Sequence, residues 1–285
     1  MASSKKNIHK KFKQTLKVRK TKTKTKTKTK TKTKTKTKTK TIGGNKKIVV
    51  VPNEKIFDCI NQNITKLDIS QCPDLEELYC SENAFTSIDL SKCPQLKIFE
   101  CNYNNLTSID FSQCPNLEEI TLMKHKIRHF KISGLEHLKH LCFGVNTSCV
   151  DIVIEKCPVL EELILDGNEM LETLEWSDLP ELKYLMCSFC NLRELDVSVF
   201  PKLKLLECSK NKLTDLNLNE LYDLEHLNCS NNELEELNIQ NNEKLTTVIS
   251  KKNPLPNHID IDRNVGDYRN WCKDNFTATN QYFLK

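Results

Sequence analysis

Apolar residues in this chain fall on a fixed grid. From Phe57 to Val248 one pattern recurs nine times with a period of 21 residues, lengthened to 22 after Leu141 and again after Leu163. Residues 78–98, LYCSENAFTSIDLSKCPQLKI, show a single unit. Its opening position is Phe57, Leu78, Phe99, Ile120, Leu141, Leu163, Leu185, Leu206, Leu227 and finally Val248. Two residues on stand Cys59, Cys80, Cys101, Leu122, Phe143, Leu165, Cys187, Cys208 and Cys229. Inward residues that alternate over so short a stretch predict a strand of about 3–5 residues. A period this short predicts stacked coils whose strands lie parallel, about 4.8 Å apart.

Polar positions recur on the same grid. Five residues after the opening position come Asn83, Asn104, Asn146, Asn168, Asn211, Asn232 and Asn253, interrupted by Gln62, His125 and Cys190. A short amide bonds readily to backbone where a chain leaves a strand, and repetition should stack these amides into a ladder. The alternation in Leu67-Asp68-Ile69-Ser70 and Ile88-Asp89-Leu90-Ser91 predicts a second extended segment on the opposite side. Cys-Pro at 72–73, 93–94, 114–115 and 157–158 marks the next corner, where Pro forbids a regular ladder. Few residues remain before the next strand, so the convex side has room only for turns, short extended segments or a 3-10 turn.

This grid resembles the leucine-rich repeat family, in its short variety with Cys or Leu at the second strand position and Cys-Pro at the return turn. Similar repeats occur in some bacterial surface proteins and in proteins of amoebae and the giant DNA viruses that infect them. The resemblance covers roughly residues 48–255. It implies an α/β-type solenoid, a horseshoe with a parallel sheet on its concave face, and a role in binding other proteins without catalysis. The fourth to sixth units depart from the pattern. They lose the strand cysteine, and Gly134-Leu135 replaces Cys-Pro at one corner, so local bulging and altered curvature are expected there.

Charge divides the chain. Residues 1–47 hold 20 Lys or Arg and no Asp or Glu, including ten Thr-Lys pairs from Thr21 to Lys40, which leaves 23 basic and 38 acidic residues in the rest. Such a leader has no apolar face to bury and is expected to be disordered, with Gly43-Gly44 as a hinge. Its readings compete: weak, non-specific contact with nucleic acid or another anionic surface, nuclear targeting through Lys5-Lys6 and Lys10-Lys11, or a tolerated simple-sequence expansion. It could also fold back on its own acidic body, or accept phosphate on its threonines.

Fourteen cysteines raise the question of disulfides or metal. Their recurrence at inward positions favours small buried hydrophobes instead. Cys187 and Cys190 form a C-x-x-C without a matching second pair, so no metal or cofactor is expected. His125, His129, His137 and His140 are close in sequence but occupy different repeat positions. With no phosphate-binding loop and no nucleophile elbow, the chain reads as a non-enzyme. Core thiols and the lack of an apolar leader segment suggest an intracellular or virion location: host cytoplasm or nucleus, if the protein is viral. No run approaches transmembrane length.

The organisation expected is a cationic tail over 1–47, a cap strand over 48–56, a nine-unit solenoid over 57–253 and a C-terminal cap over 254–285. Ile259, Trp271 and Phe276 should cover the last coil, with a short helix near 267–274. Binding is expected on the concave face, where Tyr79, Ile98, Met123, Ile164, Tyr184, Met186 and Leu205 stand among acidic residues. Ile164, Tyr184, Met186 and Leu205 fall in three adjacent coils and would form one patch. The acidic rim points to a basic protein partner. The alternative makes the leader the active part, tethering the chain to an anionic surface with the solenoid as adaptor.

Overall fold

The computed structural model describes residues 54–255 and the backbone of two earlier strands, all within one compact unit spanning Lys36–Arg263. Ten short strands form a single parallel sheet: β3 (Ile56–Asp58), β5 (Glu77–Tyr79), β6 (Ile98–Glu100), β7 (Glu119–Thr121), β9 (His140–Cys142), β11 (Glu162–Ile164), β13 (Tyr184–Met186), β14 (Leu205–Glu207), β15 (His226–Asn228) and β16 (Thr247–Ile249). The opening residue of every repeat unit is the middle residue of its strand, in register with the next, as in Leu78↔Phe99 and Phe99↔Ile120. All ten of these central side chains are buried. The fold is a parallel β-solenoid of the leucine-rich-repeat type. Among the described residues there is no helix, and the convex side consists of turns and short strands.

Two strands precede the first coil. Lys38–Ile42 (β1) pairs antiparallel with Lys46–Val50 (β2), which pairs parallel with β4 (Lys66–Asp68) on the side opposite the ten-stranded sheet. Strand structure therefore begins inside the segment read as leader. The backbone of β4 offers an edge, and the β-branched run Ile48–Val51 suits extended pairing. The remaining expectations for the leader, the hinge and the aromatic cap beyond residue 255 lie outside the described residues.

The repeated Asn clamps two coils together. Asn83 donates from Nδ2 to the carbonyls of Cys59 (2.9 Å) and Cys80 (3.0 Å), and its Oδ1 accepts from the N–H of Ile64 (2.9 Å). Asn211 and Asn232 repeat the scheme on Cys187 and Cys208, then on Cys208 and Cys229. The ladder is thus amide to backbone rather than amide on amide. Each side chain satisfies carbonyls of its own coil and of the one before, in a buried setting where an unmet polar group costs about 1–3 kcal/mol. Where Asn is missing the work is done in part. His125 Nδ1 accepts the Leu106 N–H at 3.3 Å, and the Cys190 thiol contacts the Leu165 carbonyl at 3.1 Å.

One residue before each ladder position the backbone turns left-handed. Asn61, Glu82, Tyr103, Lys124, Val145, Gly167, Phe189, Lys210, Asn231 and Lys252 all have φ between 55° and 79°. Nine of the ten are not glycine, and a conformation of this kind costs roughly 1–3 kcal/mol. The turn keeps the ladder running. The N–H of each of the first nine donates to the next coil, from Asn61 to the Ser81 carbonyl (2.9 Å) through Asn231 to the Lys251 carbonyl (2.9 Å).

The irregular middle has its own architecture. There the convex segments extend to five residues and form a second parallel sheet of β8 (His129–Ser133), β10 (Asp151–Glu155) and β12 (Thr173–Ser177). The reason is a missing stop. In regular coils Asp68, Asp89, Asp110 and Asp196 accept the backbone N–H two residues on, closing a turn at 2.8–3.1 Å, and Asn217 and Asn238 do the same. Lys131 and Val153, which have no side-chain acceptor, and Glu175, whose carboxylate sits one methylene further out, hold the equivalent places in the middle; that turn is not closed there and the strand continues. The core there is also bulkier. Phe143 replaces the strand cysteine and stacks on Phe130 with ring centroids 3.8 Å apart, and the 22-residue units supply a longer circuit around it.

The thirteen described cysteines are free and buried. Burial pushes the Cys93 thiol up to about 11 and the Cys114 and Cys149 thiols to about 12. Thiolate is the reactive form. Ellman's reagent at pH 8 should therefore leave these thirteen unmodified in the folded chain and modify all of them in denaturant; fast reaction at Cys80 or Cys101 under native conditions would refute the packing. A second expectation concerns His125, which is 5% exposed and whose burial lowers its pKa to about 4 from 6.5. Because the folded value is depressed, its contribution to stability is intact above about pH 6.5 and lost as pH falls toward 4, on the order of 3 kcal/mol in all. In urea titrations across that range, His125→Asn should restore the ladder and flatten this acid-side slope.

Candidate binding face

Three columns of side chains look out from the ten-stranded sheet: the residues flanking each strand centre, and the residue three after it. Strand pairing aligns them from coil to coil. They carry Asp58, Glu77, Glu100, Glu119, Glu162, Asp166 and Glu207, with Lys251 as the one lysine. A different column, two residues before each centre, alternates in sign from Lys55 to Lys183 and continues with Lys204 and Glu225. There Glu76 bridges Lys55 (2.5 Å) and Lys97 (2.9 Å), while Glu118–Lys139, Glu161–Lys183 and Glu225–Lys204 pair at 3.0–3.1 Å. Two lysine ammonium groups hold the Glu76 carboxyl down to about 2.

All the predicted contact residues lie on this face, in differing surroundings. Pairing places Ile164 beside Met186 and Tyr184 beside Leu205, so these four are contiguous. Ile164, Met186, Leu205 and Met123 have no exposure in the full chain, whereas Tyr79, Ile98 and Tyr184 are half-buried. Toward the N-terminal end Ile56 is 51% exposed, next to exposed Asp58 and half-buried Glu77 and Glu119. Tyr79 donates its hydroxyl to Glu77 at 2.8 Å. The N-terminal end of the face is therefore a mixed acidic and apolar surface over β3, β5, β6 and β7 that keeps accessibility, which repeat position alone does not reveal.

Polar side chains knit the edge of the face. Ser209 Oγ donates to Ser188 Oγ (3.1 Å), the Ser188 N–H donates to Asp166 (2.6 Å), and Asn228 Nδ2 donates to Glu207 (2.9 Å). Burial pushes the Asp166 carboxyl well above the usual carboxylate range; the Glu207 charge adds to this, and the Ser188 N–H opposes it only in part. His140 lies 3.0 Å from Glu162, and that hydrogen bond raises the imidazole pKa against the effect of burial. Of its neighbours in sequence, His129 pairs with Asp151 at 2.6 Å on the convex sheet and His137 is exposed. No group of three or more potential metal ligands occurs among the described residues. Nor, among them, is any helix long and apolar enough to cross a membrane.

Neither a protein-family model nor a curated protein matches the chain. Among solved structures it is similar to the functional domain of InlJ from Listeria monocytogenes, which includes a cysteine ladder. That match has 27% identity and a TM-score of 0.46, covering 69% of this chain and 48% of that one. A leucine-rich-repeat protein of Leptospira interrogans matches at 18% identity and a TM-score of 0.47, covering 67% of this chain and 62% of that one. The chain thus spans less than two thirds of the length of either.

Asp166 provides a test of the face's electrostatics. Its raised folded pKa means that the native state favours the protonated acid, so its contribution to stability is present at acid pH and lost as pH rises through the folded value. Asp166→Asn keeps an acceptor for the Ser188 N–H and removes the buried charge. Chemical denaturation from pH 4 to pH 8 should show the variant gaining on the parent chain as pH rises. A gap that stays constant or narrows would contradict the assignment.

Proposed function

We propose that the chain is a non-catalytic scaffold that binds another protein through the ten-stranded face of its solenoid. One observation carries this reading. The fold needs apolar residues only on the inner side of each strand, yet Ile56, Tyr79, Ile98 and Tyr184 occupy outer positions among carboxylates. Apolar groups set in a charged rim suit a protein contact, in which the aromatic or aliphatic anchor supplies affinity and the rim sets orientation. The contact set comprises Tyr79, Ile98, Met123, Ile164, Tyr184, Met186 and Leu205. Of these, Tyr79, Ile98 and Tyr184 keep accessible surface. The single sign of the rim favours a basic partner.

The leader supports a second reading. Twenty basic residues without an acid would hold a polyanion by counterion release, with steep salt dependence and little sequence preference. Affinity capture with the full chain separates the two. Tyr184→Ala and Ile98→Ala should each weaken partner retention about tenfold or more, equivalent to about 1.4 kcal/mol, while Glu235→Gln on an exposed turn has no effect. If both face variants retain the partner and moderate salt alone releases it, the leader is the active part.

A further inference from the structure

The coil that begins at Ile120 breaks the charge pattern of the solenoid. From Ile120 to Leu135 the chain holds Lys124, Lys126, Arg128 and Lys131 and no Asp or Glu, within a body where acids outnumber bases. These cations follow the strand β7, on the flank where the chain leaves the sheet. Burial alternates there: Lys124, Lys126 and Arg128 are exposed, and His125 and Ile127 are buried. The backbone is tied to both neighbouring coils, since the Lys126 N–H donates to the Leu106 carbonyl (2.9 Å) and the Arg128 carbonyl accepts from the Val150 N–H (2.9 Å). The outward side chains therefore project from a fixed base.

Most of the coil's charge is already matched. The Lys124 ammonium lies 5.4 Å from the centre of the Tyr103 ring, His129 pairs with Asp151, and Lys131 pairs with Glu155. Lys126 and Arg128 differ. Among the described residues no carboxylate pairs with either. Asn105 and Thr107 hold the equivalent places in the preceding coil, and Thr147 stands beside Lys126 in the following one. None of the three carries charge, and each can donate a hydrogen bond to an anion.

Spacing indicates what kind of anion fits. Alternate side chains of an extended chain are about 6.6 Å apart on one side. A peptide lying along the coil with carboxylates two residues apart has the same interval and meets both cations at once, Arg128 through its guanidinium fork. A nucleic acid fits less well. Two cations neutralise few phosphates, the Tyr103 ring carries the Lys124 ammonium instead of offering its face to a base, and the acid-rich body repels a long polyanion.

We propose that Lys126 and Arg128, with Thr107 and Thr147 beside them, bind an extended acidic segment of a partner protein whose carboxylates are two residues apart. This flank is a second contact surface, separate from the sheet face and independent of what binds there. Its binding weakens with added salt, because both cations are solvent-accessible.

The test uses the full chain and a five-residue peptide of serine and threonine with glutamates at its second and fourth positions and both ends blocked. A carbodiimide couples its carboxylates to the lysines they touch, and mass spectrometry locates each cross-link, which separates this site from the lysines of the leader. Coupling at Lys126 should saturate with peptide concentration. Arg128→Gln should raise the half-saturating concentration at Lys126 about fivefold, the loss of one accessible ion pair of up to about 1 kcal/mol. Lys92→Gln, at an exposed corner, should leave it unchanged, and a peptide with its two glutamates adjacent should couple more weakly. The proposal fails if coupling is confined to the leader, or if Arg128→Gln does not alter coupling at Lys126. Displacement of the peptide from Lys126 by oligothymidylate at equal concentration would overturn it in favour of a nucleic-acid ligand.

Discussion

A buried side-chain amide that reaches two coils at once is the interaction on which this solenoid depends. A single coil of 21 residues cannot enclose a core, and its strand of three residues makes too few ladder bonds to hold its own shape. Asn83, Asn104, Asn146, Asn168, Asn211, Asn232 and Asn253 occupy the point where the chain leaves the sheet, where backbone groups would otherwise be stranded away from water. Because each amide bonds to the preceding coil, and all but Asn146 to their own coil as well, the fold is cooperative along the stack. The left-handed residue just before it belongs to the same device. It turns the chain while keeping its N–H on the next coil, so conformational strain at Val145 or Phe189 is offset by a bond that would otherwise be lost.

The middle coils show how little is needed to change the architecture. Where Lys131 and Val153 stand in place of a turn-closing Asp the side-chain acceptor is gone, Glu175 holds its carboxylate one methylene further out, and the convex segment runs on into a second sheet. Phe143 and Leu165, where other coils have Cys, lie in the two units of 22 residues, whose longer circuit accommodates the added bulk. The bulging expected there is thus an ordered three-stranded sheet. Its short ion pairs, His129–Asp151 and Lys131–Glu155, line the outer side.

On the opposite side the same coil spacing carries charge of one sign. One column, two residues before each strand centre, pairs Lys with Glu between coils, and the sheet face carries seven carboxylates, among which burial and Glu207 together raise the pKa of Asp166. Outer apolar residues such as Ile56, Tyr79 and Ile98 set among those carboxylates support the proposed reading of the face as a protein-binding surface.

Much of this structure was legible in the sequence because a solenoid maps period directly onto space. The strand centres from Phe57 to Val248, the inward cysteines and the Asn positions could be read from a one-dimensional repeat, since each circuit returns like residues to like environments. Three things could not. The left-handed column has no signature, because Glu82, Tyr103 and Lys210 are tolerated there only through bonds to a neighbouring coil. The convex sheet depended on an absence, the missing Asp at Lys131, Val153 and Glu175, whose role as a turn acceptor is visible only once the turns are seen. Exposure on the binding face was the third. Ile98 and Met186 hold outer strand positions in the pattern, yet one keeps accessible surface and the other none. Accessibility is a property of everything that packs around a residue, and no periodicity within one strand contains that information.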